Sequence, residues 1–171
     1  MKYEWKKQAK ELYLPKEQPG IINVPLMKFF TLQGQGNPNS EKFAEEVGVL
    51  YSLSYAIKML PKKNITPQGY FEYTVFPLEG VWDLADEAKG LEKLDKEKLI
   101  YTIMIRQPGF VTDDIANAVI NSMKNKKPNQ LYDKVKFERT SRSHREIYIT
   151  DARKTPAEKL KTVLRFKVEK I

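Results

Sequence analysis

The sequence predicts an α+β protein with helices packed on one side of a mainly antiparallel sheet. Three observations carry this: short alternating or apolar runs that read as strands, two longer stretches of helical periodicity, and prolines or glycines that separate one from the next. At 171 residues the chain can fill one core, and a single domain over residues 1–171 is expected, with disorder confined to its ends.

Taken in order, "VPLMKFFTLQGQGNPNS" gives a strand from Leu26 to about Gln33, closed by a Gly-rich turn. Ser40 is placed to N-cap a helix from Glu41 to about Leu60, where Phe43, Val47, Leu50, Ser54 and Ile57 recur on one face and Tyr51 and Tyr55 widen it. Pro61 ends that helix. "GYFEYTVFPLEGVWDL" alternates from Tyr70 to Phe76 as a strand does, and Pro77 with Gly80 signals a bulge or bend. "KLIYTIMIRQPGF" is apolar throughout and suits the centre of a sheet.

Thr112, Asp113 and Asp114 mark a second helix start, with Ile115, Val119, Ile120 and Met123 as its buried stripe. The tail offers three short strands, around Val135 to Glu138, Arg145 to Thr150 and Thr162 to Val168. "DARKTPAEKL" forms the loop between the last two, with one helical turn from Pro156.

Composition excludes several classes of function. With no cysteine, disulfides, thiolate metal sites and cysteine nucleophiles are absent, and a reducing cytoplasm is the natural home. The N-terminus mixes both signs of charge without an apolar stretch, so neither a secretory signal nor a membrane anchor is read there. One histidine, His144, rules out a multi-histidine zinc site, and no cofactor or metal is expected. The net charge of +8 raises nucleic acid as a partner, but acids interleave with lysines in runs such as "EAKGLEKLDKEKL", which reads as solvated surface. The cationic run "RTSRSHR" holds no aromatic and reads as a solvated loop, and "GQG" lacks the rest of a phosphate loop and reads as a turn.

Two features point to a small-molecule site, each with a plainer alternative. Tyr73 and Trp82 flank the stretch "PLEG", and Tyr148 shares a strand face with Glu146, an arrangement that ordinary core filling also produces. Glu146 interrupts an alternating strand, where it either faces a hollow or pairs across an exposed sheet face with Arg165 or Lys167.

The stretches "LYSLSYAIKM", "YTVFPLEGVW", "IMIRQPGFVT" and "HREIYITDARKTPAEKLKTVLRF" resemble the gyrase-inhibitor-like (GyrI-like) small-molecule-binding family in its stand-alone branch, over nearly the whole chain. The resemblance implies two strand-helix-strand-strand modules related by pseudo-twofold symmetry, with a ligand cleft between them. It implies Glu146 as the central carboxylate, Glu79 and Trp82 from "PLEGVW", and walls made by Tyr73, Met104 and Tyr148, with Ile147 and Ile149 pointing beneath the helices. Ligands would be flat, apolar or cationic molecules, drawn by aromatic faces and the carboxylate. Some GyrI-like proteins open the cyclopropane ring of DNA-alkylating compounds, a detoxification in which Glu146 would be the general base on water. A non-catalytic multidrug sensor linked to transcription is the alternative. The chain departs from the family where "KVKFE" runs directly into "RTSRSHREIYITD": a strand and a helix of the second module are missing between them. An uncovered sheet edge follows, to be closed by a second copy in a homodimer or by a segment the sequence lacks.

Overall fold

The most apolar strand lies inside a six-stranded sheet whose order is β4-β1-β3-β2-β5-β6, every neighbouring pair antiparallel. The computed structural model describes residues 2–90, 93–141, 145–151 and 154–169. Along the chain come α1 (Trp5–Gln8), α2 (Lys10–Tyr13), β1 (Met27–Gln35), α3 (Glu41–Lys58), β2 (Leu78–Leu84) and β3 (Leu99–Gln107). Then follow α4 (Asp113–Lys126), β4 (Lys136–Thr140), β5 (Arg145–Tyr148) and β6 (Thr162–Arg165). The α+β class holds, and the chain order β1–α3–β2–β3 is one complete strand-helix-strand-strand module.

Both long helices begin where their caps require. The Ser40 hydroxyl accepts from the Phe43 amide at 3.2 Å, and the Thr112 hydroxyl accepts from the Ile115 amide at 3.3 Å. Val47, Leu50, Leu53 and Ile57 of α3 are buried, whereas Tyr55 is exposed and does not belong to the buried face. In α4 the buried residues are Ala116, Val119 and Ile120.

Period two divides the strand residues between two faces. Phe30 and Leu32 of β1, Tyr101, Ile103 and Ile105 of β3, Leu78, Gly80 and Trp82 of β2, and Glu146 and Tyr148 of β5 share one face by register. That is the α3 face, since Glu46 and Ser54 of α3 hydrogen-bond Tyr101 and Gln107. The opposite face carries Phe29, Thr31, Met104, Arg106, Glu79, Arg145, Ile147 and Arg165.

That opposite face is covered by the N-terminal segment, which the expectation of disordered ends missed. Trp5, Ala9 and Tyr13 are buried in it at helical spacing. Tyr3 bridges to Tyr73, the Trp5 indole donates to the Val75 carbonyl at 3.0 Å, and Arg165 donates to the Leu12 carbonyl. Ile147 is therefore buried beneath this strap rather than beneath α3.

The strand expected from Tyr70 to Phe76 does not form. Its residues pair only through the Tyr3–Tyr73 bridge, and the ladder starts at Leu78, after Pro77, which has no N–H to give. Gly80 is no bulge: it is in register with Ile103 on one side and Glu146 on the other.

Between β2 and β5 two hairpins stand back to back, β3–β2 and β5–β6. The first is flanked by β1, while among the described residues no strand lies on the outer side of β6. This is the uncovered edge of a shortened second module, and Leu160, Leu164, Phe166 and Val168 are exposed along it.

Candidate functional site

The α3 face of β2 and β5 brings three of the predicted residues together. The Tyr148 hydroxyl donates to Glu146 Oε2 at 2.7 Å and accepts from the Trp82 indole N–H, also at 2.7 Å. All three side chains are half-buried. Burial first, then the hydrogen bond and charge of Glu146, push the Tyr148 phenol well above its usual value, so it serves Glu146 as a neutral donor.

Gly80 makes the chain of hydrogen bonds feasible. A Cβ at that position would lie 2.8 Å from Trp82 Nε1 and 3.2 Å from the Tyr148 hydroxyl, so the two side chains close over the bare backbone. The expected result of Gly80→Ala is that Trp82 and Tyr148 separate while the fold persists, at a cost of about 1 kcal/mol, one hydrogen bond's worth. Tryptophan fluorescence beside a thermal melt checks this.

Sequence reasoning missed the rest of the aromatic wall. The Trp82 ring lies 4.9 Å from Tyr101 and 5.6 Å from Phe43, and Phe43 meets Tyr101 edge-on at 5.1 Å. Tyr101 is anchored from behind by Glu46, a buried carboxylate of α3 that accepts its hydroxyl at 2.6 Å. Burial and this bond raise the Tyr101 phenol as well. A Cβ at Gly34 would collide with the Tyr101 ring, so the glycine of β1 is what seats it. Phe43 was legible only as one residue of a helical stripe, and Tyr101 only as one residue of an apolar strand.

Three predicted residues lie elsewhere. Glu79 and Met104, which are directly opposite one another on β2 and β3, are fully buried on the strap face. Tyr73 is buried in the core beside Phe76 and Phe110, and its hydroxyl donates to the Ser54 carbonyl at 3.4 Å. Their separation from Trp82 has a simple cause: in an unbulged strand Glu79 and Trp82, three residues apart, fall on opposite faces.

The alternative pairing of Glu146 with Arg165 or Lys167 is absent. Glu146 is opposite Leu164, Arg165 belongs to the other face, and Lys167 pairs with Glu169 at 3.1 Å. Glu146 thus stands on a half-buried aromatic shelf that is open toward β6, where Leu164 is 58% exposed. Two surface hollows, of about 340 and 360 Å³, lie away from the shelf, one at Tyr3 and Phe71 and one at Lys134 and Lys136.

Among the described residues no group of three His, Asp or Glu is placed to hold a metal ion. His144, with Arg142 and Ser143 of the cationic run, lies outside the described residues. Of that run's ends, Arg139 is exposed on β4, but Arg145 is fully buried and so is no part of a solvated loop. No described helix is long and apolar enough to cross a membrane.

No family model matches the chain, and no curated protein matches it. Solved structures do. An uncharacterized conserved protein from Listeria innocua is 30% identical, with a TM-score of 0.84 over 98% of this chain and 100% of that one. A hydrolase of Listeria innocua encoded by lin2189 is 30% identical, with a TM-score of 0.83 over 96% of this chain and 98% of that one. A further hydrolase structure from Listeria innocua is 29% identical, with a TM-score of 0.80 over 95% and 98% of the two chains. At this identity and coverage the chain belongs to the same family as these Listeria innocua proteins.

Proposed function

We propose that the shelf formed by Phe43, Trp82, Tyr101 and Tyr148 binds flat, apolar or cationic small molecules of the kind taken by GyrI-like proteins. We further propose that Glu146 makes the protein a hydrolase of strained cyclopropane-containing alkylating compounds. The observation that carries this reading is the setting of Glu146: a half-buried carboxylate, aligned by a neutral phenol, beside an indole face and unpaired with Arg165. Two Listeria innocua relatives described as hydrolases support the class of reaction.

In the proposed step Glu146 takes a proton from water as the water oxygen bonds to a ring carbon of the cyclopropane. The carbon–carbon bond breaks, its electron pair passes into the conjugated carbonyl system, and that system takes up a proton, so one water is added in all. Oxygen Oε2 is occupied by Tyr148, which leaves Oε1 to act as base. Stacking on Trp82 fixes the flat substrate for attack.

The reading places the protein in the cytoplasm. It also includes a homodimer, because the unpaired edge of β6 offers a second copy backbone donors and acceptors beside the shelf.

The experiment is a panel of planar cationic dyes, read by fluorescence, and of strained-ring alkylators, read by mass. Dye binding at micromolar concentration together with a gain of one water by the alkylator is the expected outcome. Dye binding with no change of mass would convert the reading to a non-catalytic sensor or sequestering protein, and failure of both would end it.

A further inference from the structure

Three guanidiniums meet on the strap face of the sheet. Arg145 and Arg165 are directly opposite one another on β5 and β6, a position at which like charges repel. Neither has bulk water to moderate that repulsion: Arg145 is fully buried and Arg165 is 8% exposed. Arg106 of β3 faces the same way, its guanidinium 4.6 Å from the Phe76 ring.

The carboxylate that meets them is Glu79. Its Oε2 accepts from an Arg145 terminal nitrogen at 2.7 Å, and its Oε1 accepts from the Tyr13 hydroxyl at 3.3 Å. Tyr13 brings no second negative charge, because burial and Glu79 hold its phenol far above the usual value. Burial also lowers the pKa of Arg165; Glu79 opposes that shift and Arg145 adds to it.

Among the described residues the remaining donors meet no acceptor. Arg145 lies 4.9 Å from the Phe29 ring, which engages its plane but not its edge. The whole side edge of that guanidinium, Nε and the second terminal nitrogen, is buried without an acceptor. One terminal nitrogen of Arg165 and one of Arg106 are in the same condition. Buried charged donors are ordinarily paired, since an unpaired one forfeits its hydration with no return.

We infer that a small monovalent anion of the halide class binds between Arg145 and Arg165, beneath Leu12 and Tyr13. The side edge of Arg145 offers two parallel N–H bonds and Arg165 offers a third, a donor set suited to one spherical acceptor. Closure by the strap favours a single-atom ion over a phosphate. The anion ties the β5–β6 hairpin to the N-terminal segment, so it acts on stability and stands apart from the Glu146 shelf.

The test uses the full chain, melted in sodium chloride, sodium bromide or sodium gluconate at one ionic strength. Saturating halide is expected to raise the midpoint by roughly 3–10 °C over gluconate. Arg165→Met should abolish that difference. Crystals soaked in bromide should show an anomalous peak between Arg145 and Arg165 in the unaltered protein, a result that does not depend on the variant folding. Identical melting in halide and gluconate, or bromide crystals with water alone at that position, would overturn the inference.

Discussion

Glu146→Gln is expected to lower hydrolysis of a strained cyclopropane by about 100- to 10,000-fold, the usual contribution of a general base. The substitution is close to isosteric, and the amide oxygen still accepts from Tyr148, so the Trp82–Tyr148 arrangement should persist. A planar neutral ligand should bind as before, because Trp82 and Tyr101 supply the contact area. A planar cation should bind several-fold more weakly, having lost the charge that draws it to the shelf. Single-turnover rates by mass, beside affinities for a neutral and a cationic dye, separate these effects. Undiminished hydrolysis would remove Glu146 from the chemistry.

The second large effect concerns stability. Glu79→Gln should destabilise the fold by about 3–5 kcal/mol, because Arg145 would keep its buried charge and lose the partner at 2.7 Å. For a chain of this size that corresponds to a fall of roughly 6–20 °C in the midpoint, measured in gluconate. Replacing both partners, Glu79→Leu with Arg145→Met, should recover most of the loss, since neither desolvated charge then remains. A Glu79→Gln variant that melts with the unaltered protein would show the pair to be energetically neutral.

How much of this was legible in the sequence depended on whether a residue's surroundings came from its own strand or from another. The centre of the sheet was readable in "KLIYTIMIRQ", because a strand covered on both faces must be apolar on both. The relation of Glu146 to Tyr148 was readable too, because it needs only a period of two within β5. Glu79 and Trp82 were grouped through the "PLEGVW" resemblance, but the strand runs straight through Gly80, so the two fall on opposite faces, and the glycine makes room for Trp82 and Tyr148.

The alternation from Tyr70 to Phe76 misled for a related reason. Tyr73, Val75 and Phe76 are all buried, out of step with alternation, because Tyr73 and Phe76 pack against aromatic rings of the strap and the loop at Phe110, so burial occurs without a ladder. The strap itself left a trace that its charges obscured: Trp5, Ala9 and Tyr13 recur every four residues among lysines and glutamates. Glu46 and Tyr101, 55 residues apart, had no local signal linking them.

The claim on which the functional account rests is that a flat ligand lies on Trp82 with Glu146 at its edge. The most direct measurement is a structure of the Glu146→Gln protein with an unreacted alkylator bound. The account predicts the ring system against the Trp82 indole, with the cyclopropane carbon reachable by a water on the residue-146 side chain. A ligand seated on the strap face, or in either surface hollow with the Trp82 face bare, would contradict it.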